Sequence, residues 1–156
     1  MLSQSLWPIE SCGSTGGCGN RIADHDRCCG SRVGNLETPP PEGDSALDLF
    51  RSAYADPVII NDTPFTCAQL VDRARATHKA FADLEMEVVD RIDAGDKAAV
   101  AFRQSGKHVA ALPMPGAVEP SGHVVSGIGM DIFTIVDDRI ARIWVVSELL
   151  SQLVRG

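Results

Sequence analysis

One carboxylate lies in the middle of an otherwise apolar stretch, GIGMDIFTIV, at residues 127–136. The pattern predicts a strand in which Asp131 stands between Met130 and Ile132. Burial of a charge is costly unless the charge is paired or neutralised. Desolvation therefore predicts a raised pKa for Asp131 and a carboxyl group that holds its proton at neutral pH. The alternative is a structural acid satisfied by a backbone amide or by an arginine such as Arg103.

Two further acidic residues are candidate proton acceptors. Asp62 follows the VIIN segment, and Glu148 follows the WVVS segment near the end of the chain. A positioned carboxylate can remove a proton from a carbon next to a carbonyl group. For Asp62 the alternative is a turn residue before Thr63, since aspartate makes local hydrogen bonds in turns.

His108 and four other side chains are candidates for a ligand pocket. On an unbroken strand His108 shares a face with Phe102, which fits either a catalytic imidazole or a histidine of the core. The predicted substrate-binding residues, one polar and three aromatic, are Asn61, Phe102, Phe133 and Trp144. Trp144 is expected in the pocket wall or the core, because a buried indole contributes a large apolar area.

The elements that must position these residues follow an α+β pattern. A short helix is predicted from residue 45, with Tyr54 on its apolar face, and VIIND then predicts a short strand. A longer helix follows, and Thr66 and Gln69 fit a capping box at its start. Four strand-like segments come next, and LLSQLV is predicted to close the chain as a helical turn. Helices followed by a long antiparallel meander predict a curved sheet wrapped on its helices.

The first part of the chain differs in composition from the rest. It is rich in glycine, proline and cysteine, with Cys12, Cys18, Cys28 and Cys29 in a C-x5-C-x9-C-C arrangement. Structural zinc sites usually pair cysteines about two to four residues apart, so we expect no metal site here. Without a hydrophobic period, residues 1–43 are predicted to be disordered, and residues 44–156 to form the folded domain.

Composition and motifs exclude several classes of protein. The chain has 156 residues, a net charge of −7 and a pI near 4.9, which argues against a nucleic-acid partner. No apolar run reaches the roughly 18 residues of a membrane helix, and the start does not have the pattern of a secretory signal. We therefore expect a cytoplasmic protein without membrane contact. Neither a phosphate-binding loop nor a zinc-protease motif is present, and we expect no cofactor.

Three segments together resemble the SnoaL-like polyketide cyclases, a family of ester cyclases. SGKHVAALPMPGAVEPSGHVV is similar to the family's G-T-H…G…P-T-G-r-x-V segment, and GMDIFTIVDDRIARIW to its G-x-D-x-F-x-x-x-D-G-k-I-x-x-x-W hairpin. WVVSELLSQL is similar to the family's ending, W-x-x-x-D-x-x-L-L-x-Q-L. The family belongs to the nuclear transport factor 2-like superfamily, together with ketosteroid isomerase. The resemblance implies a cone of curved antiparallel sheet and helices around an apolar pocket, with the family's first helix missing or atypical.

The resemblance also implies roles for the candidate residues. Asp131 matches a position that carries a protonated acid in ketosteroid isomerase, where it donates a hydrogen bond to the enolate oxygen. Asp62 matches the spacing of that enzyme's general base, and His108 matches the histidine of G-T-H. A cyclase or isomerase that removes a proton next to a carbonyl of an apolar substrate is therefore implied, with Asp62 or Glu148 as base. The alternative is a non-catalytic ligand-binding or dimerisation domain, and a homodimer through the sheet face fits either function.

Overall fold

An open six-stranded sheet with three helices makes up the part of the chain that the structure, a computed structural model, describes: residues 39–112 and 118–155. The helices are α1 (Asp44–Ala53), α2 (Cys67–Ala80) and α3 (Leu149–Arg155). The strands are β1 (Tyr54–Ile60), β2 (Thr63–Phe65), β3 (Phe81–Ala94), β4 (Lys97–His108), β5 (Val124–Val136) and β6 (Arg139–Ser147). Their order in the sheet is β2-β1-β6-β5-β4-β3, which confirms the predicted α+β class.

The predicted meander accounts for four of these strands. Strands β3 to β6 pair antiparallel in sequence order, and β1 then joins β6 in parallel. The short strand β2, which the sequence analysis did not predict, pairs with β1 across a turn at Asn61 and Asp62. Both turn residues have positive φ, a conformation that asparagine and aspartate adopt more readily than most residues.

Tyr54 lies just beyond the helix in which its spacing placed it. The helix α1 ends at Ala53, and Tyr54 begins β1 while its backbone N–H donates to the Phe50 carbonyl oxygen. Pro57 follows closely, and the residue before a proline is biased toward extended backbone, which favours a strand over another helical turn. The change of element turns the Tyr54 ring toward the interior, where it stacks on Phe50 with 5.7 Å between ring centroids.

The predicted capping box at the start of α2 is confirmed. The Thr66 hydroxyl accepts from the Gln69 N–H at 3.2 Å, and the Gln69 side chain accepts from the Thr66 N–H at 2.8 Å. The pair satisfies two backbone donors that the first helical turn would otherwise leave unpaired. It therefore fixes where α2 starts and how its apolar face meets the sheet.

Thr66→Ala is expected to lower the free energy of unfolding by about 1 kcal/mol, because the helix loses its side-chain cap. Urea denaturation measures this loss. Ser151→Ala, at an exposed position of α3, is the matched control. Equal stability of the two variants would contradict a stabilising capping box.

The helices α1 and α2 cover one face of the sheet, and the main core lies between them. Every second residue of β4 points into this core, including Ala98, Val100 and Phe102, and β6 contributes Ile143 and Val145. A second, smaller cluster, in which α3 takes part, packs near the start of β3. This covered face, called the interior face below, carries the side chains of the sheet that are shielded from water.

Two of the predictions concern the first part of the chain and the length of its helices. The cysteine pattern, and nearly all of the segment predicted to be disordered, lie outside the described residues. Among the helices of the described ranges, none is long and apolar enough to cross a bilayer.

Candidate active site in the sheet interior

Asp131 lies on the interior face and is almost completely buried. Its exposed fraction is 4 %, and in the sheet it is paired with Val100 of β4 and Val145 of β6. Arg103, which the sequence offered as a partner, points elsewhere and forms an ion pair with Glu87 at 2.6 Å. The strand pattern thus delivers a carboxyl group into an apolar interior, as expected from the sequence.

Tyr54 adds a second polar group near Asp131, one that the sequence analysis treated only as helical core. The residue is fully buried, and its hydroxyl has no hydrogen-bond partner among the described residues. Burial, then the charge of Asp131, then that of Cys67 raise the pKa of the Tyr54 hydroxyl well above its usual value. The hydroxyl therefore keeps its proton at neutral pH and can donate it in a hydrogen bond. Tyr54 is the chain's single tyrosine and begins the segment YADP. The proline of that segment could have indicated that Tyr54 lies on a strand and not in the helix.

The two predicted bases lie away from the interior. Asp62 sits in the β1–β2 turn with 70 % of its side chain exposed, and it forms an ion pair with Arg142 at 2.7 Å. Glu148 is exposed between β6 and α3, where its carboxylate accepts from the Ile128 N–H at 3.3 Å. The structure therefore separates both carboxylates from Asp131, because each follows a strand end rather than pointing inward from a strand.

His108 is buried on the same face as Asp131 but at the other end of the sheet. Asp131 is paired with Val100, eight residues before His108, which corresponds to about 26 Å of extended strand. The Ser121 N–H donates to His108 Nδ1 at 3.2 Å. The His108 N–H also donates to the His123 carbonyl oxygen, and the Gly122 N–H donates to the His108 carbonyl oxygen. These bonds hold the β4–β5 connection against the sheet. His108 thus holds this connection, and it does not meet Asp131.

Of the four predicted substrate-binding residues, Phe102 and Phe133 face the interior, at 2 % and 4 % exposure. Phe102 is paired with Gly129, and a Cβ there would overlap the phenyl ring, so the ring lies flat over the backbone of β5. Asn61 is half-buried, and its amide bonds to both the N–H and the carbonyl oxygen of Val145. Both polar atoms of the Asn61 side chain are therefore used in hydrogen bonds that join the end of β1 to β6.

Trp144 was predicted to form pocket wall or core, and the structure places it on the opposite face of the sheet. Its exposed fraction is 43 %, and its neighbours Ile143 and Val145 are the residues of β6 that point inward. The sequence could not choose between the two faces, because β6 is apolar on both. The consequence is an exposed indole outside the interior, stacked under the guanidinium of Arg142 at 5.5 Å from the ring centroid.

Gln104 is a polar interior residue that the sequence analysis overlooked. It is 1 % exposed, and neither atom of its side-chain amide has a hydrogen-bond partner among the described residues. The signal was present in the alternation of β4, since Gln104 shares a face with Val100 and Phe102. A polar residue at an inward position of an otherwise apolar face is the kind of residue that contacts a ligand.

A surface depression of about 290 Å³ lies elsewhere, on β3 and β4, and it is lined by Glu85, Met86, Glu87, Arg103 and Ser105. Glu87 and Arg103, the charged pair in this depression, are exposed and bonded to each other, so they offer little for catalysis. In the described ranges, no three histidine, cysteine or acidic side chains come together as a metal site would require.

A curved α+β sheet with helices on one face defines a fold of the nuclear transport factor 2-like type. A family model described as SnoaL-like polyketide cyclase matches residues 43–154, and the chain belongs to this family. No curated protein matches the chain. Membership supports a small-molecule cyclase or isomerase kind of function.

Solved structures share the fold at low identity. TsrD from Streptomyces laurentii is 24 % identical with a TM-score of 0.58, over 69 % of this chain and 81 % of that one. A SnoaL-like polyketide cyclase from Agrobacterium tumefaciens is 18 % identical with a TM-score of 0.57, over 70 % and 84 %. AclR from Streptomyces galilaeus, a proposed hydroxylase, is 24 % identical with a TM-score of 0.55, over 72 % and 85 %. These likenesses establish the architecture, and the chemistry must be argued from this chain's own residues.

Proposed function

We propose that the protein is a cofactor-free cyclase or isomerase in which Asp131 moves a proton from a carbon beside a carbonyl group. The observation that carries this proposal is the burial of Asp131 on the interior face, at 4 % exposure. A carboxyl group shielded from water can hold or release a proton close to neutral pH more readily than an exposed one. The substrate is a mostly apolar carbonyl compound, in keeping with the phenyl rings beside Asp131.

The proposed reaction needs a single carboxyl group. The Asp131 carboxylate takes a proton from the α-carbon, and the electron pair of the C–H bond becomes the enolate. The enolate carbon attacks a second carbonyl carbon of the same molecule, a C–C bond forms, and the C=O π electrons move to oxygen. Asp131 then returns its proton to this oxygen. The step is redox-neutral, so it requires no oxidant or reductant.

This proposal differs from the sequence-based one in the choice of base. Asp62 and Glu148 are exposed and bonded to Arg142 and to the Ile128 N–H, respectively. A base must come within hydrogen-bond reach of the proton it removes, and the interior face is closed to both carboxylates as they stand. Asp131 therefore serves first as base and then as acid.

Tyr54 is proposed to donate its hydroxyl proton in a hydrogen bond to the enolate oxygen. Tyr54→Phe is expected to lower the rate of proton transfer about tenfold, since a hydrogen bond contributes about 1–1.5 kcal/mol. The same change removes a buried hydroxyl without a partner among the described residues, so the free energy of unfolding should stay equal or rise. A rate loss that tracks a loss of stability would assign Tyr54 to the core alone.

The proposed activity can be tested without knowledge of the natural substrate. A naphthyl β-keto ester is incubated with the protein in D₂O, and NMR follows deuterium incorporation at the α-carbon. We expect exchange above the buffer rate. Saturable binding of the ester without any exchange would favour the alternative, a non-catalytic ligand-binding domain of the same fold.

We further propose that the protein forms a homodimer through the outer face of the sheet. An outer apolar patch consists of Met130, Ile132, Trp144 and Val146, which are 43–65 % exposed. Ile132 is paired with Trp144, and Met130 with Val146, so the four side chains are contiguous. Contiguous exposed apolar surface is typical of protein contacts, and a two-fold axis would bury the same patch on both copies.

Trp144→Lys is expected to shift the protein from dimer to monomer, because it places a charge in the centre of the outer apolar patch. Sedimentation equilibrium measures the change. Leu49→Lys alters an apolar residue of α1 with a similar exposed fraction, 45 %, on the helical side of the sheet, and should leave the dimer intact. A wild-type protein that is monomeric at high concentration would contradict the proposed interface.

A further inference from the structure

The side-chain amide of Gln104 is buried, and no hydrogen bond from the described residues compensates for its loss of contact with water. Leaving a buried polar group without a hydrogen bond destabilises the folded state, and here both Nε2 and Oε1 lack a partner among the described residues. Such groups in native proteins usually have a reason, such as a ligand or a bound water. A leucine would fill a similar volume without leaving polar atoms unpaired. We therefore expect the Gln104 amide to be present for its hydrogen bonds to a ligand.

The position of Gln104 relates it to Asp131. Gln104 is paired with Gly127 of β5, four residues from Asp131 on the same strand and the same face. This interval corresponds to about 13 Å of extended strand. The start of α3 packs closely on Gly127, since an added Cβ there would lie 2.7 Å from the Leu149 nitrogen.

The side chains between the two polar groups on the interior face are apolar. Phe102 lies between Val100 and Gln104 on β4, and its ring covers Gly129, which lies between Gly127 and Asp131 on β5. A ligand that spans this interval would have Asp131 at one end and Gln104 at the other. The interval of about 13 Å matches the length of two or three fused rings together with a hydrogen bond at each end.

We propose that Gln104 is a distal anchor that binds a neutral oxygen substituent of the substrate, at the end away from the reacting carbonyl. The side-chain amide offers a donor and an acceptor together, which matches a hydroxyl group that accepts from Nε2 and donates to Oε1. Among the buried side chains of the described residues there is no lysine or arginine, so a neutral group fits better than an anion. This assignment of the substrate class rests on the proposed function of Asp131.

Two probes that differ at one position test the anchor. One is the naphthyl β-keto ester, and the other is the same ester with a hydroxyl group on the ring distant from the carbonyl. Calorimetry gives the dissociation constant of each probe, and deuterium exchange gives KM and kcat. We expect the wild-type protein to prefer the hydroxylated probe about tenfold in binding and in KM, with similar kcat.

Gln104→Leu and Gln104→Met are expected to abolish this preference while kcat for the plain ester changes little. The methionine variant keeps the length of the side chain, so it guards against a leucine variant that packs poorly. Gln152→Met, at an exposed position of α3, is the matched control and should keep the preference.

The outcomes separate the anchor from the chemistry. Equal binding of the two probes by the wild-type protein, or a preference that survives in both Gln104 variants, would overturn the anchor and leave Gln104 solvated by a buried water only. Exchange at Asp131 would be untouched by that result. A preference that depends on Gln104 in the absence of any exchange would support the anchor as a binding site and reject the proposed catalytic function.

Discussion

Asp131→Asn is expected to lower α-proton exchange by about 10²–10⁴-fold, the share of rate that a positioned acid or base contributes. Asparagine keeps the shape of the side chain but cannot accept a proton at neutral pH, so binding of the ester should change much less than kcat. NMR exchange measured beside calorimetric titration separates the two effects. The largest loss should therefore appear in kcat, as expected for a residue that touches the reacting atoms.

Control variants make this result specific. Asp72→Asn, on the exposed surface of α2, should behave as the wild-type protein. Asp62→Asn and Glu148→Gln test the base assignment that the sequence suggested. A collapse of exchange in either of them, with Asp131→Asn still active, would return the base to that carboxylate and reject the single-residue mechanism.

Gly129→Ala is expected to lower the free energy of unfolding by about 1–3 kcal/mol, because the added methyl group overlaps the Phe102 ring that rests on Gly129. Phe102 is 2 % exposed and has little room to move. Urea denaturation measures the loss. Ser126→Ala, at an exposed position of the same strand, should stay within about 0.5 kcal/mol of the wild-type protein.

The cause of this destabilisation can be isolated with a double variant. Phe102→Leu shortens the side chain that collides with the new methyl group, so Gly129→Ala should cost less in its presence than in the wild-type background. Coupling of about 0.5–3 kcal/mol is typical of residues in contact. Strict additivity of the two changes would show that Gly129 is required for the backbone and not for the close approach of the ring.

The elements were predictable because their signals are local. The capping box of α2 depends on Thr66 and Gln69, three residues apart, and the structure shows both of its hydrogen bonds. The inward positions of Phe102 and Phe133 follow from alternation along single strands. Tyr54 escaped prediction because helical spacing and a following strand compete over the same residues, and Pro57 decides in favour of the strand.

The distances between functional residues were not predictable in this way. His108 and Asp131 lie on the same face, as their strands imply, but the register of β4 against β5 places them eight residue pairs apart. The sequence left two roles open for Asp62, a turn residue or a catalytic base. Only the ion pair with Arg142 shows where its carboxylate points. Register and long-range pairing join residues that are far apart in the chain, and no local pattern contains them.

The sequence by itself determined the α+β class, the strand that carries Asp131 inward and the membership in a family of small-molecule cyclases. Only the tertiary structure decided which carboxylates reach the interior, which face of β6 is buried, and which polar groups accompany Asp131. The physical reason is that strand alternation fixes two faces but does not say which is covered, particularly in β6, where Ile143 and Trp144 are both apolar. Packing of α1 and α2 on one side settles that choice, turning Tyr54 and Gln104 inward and leaving Trp144 outside.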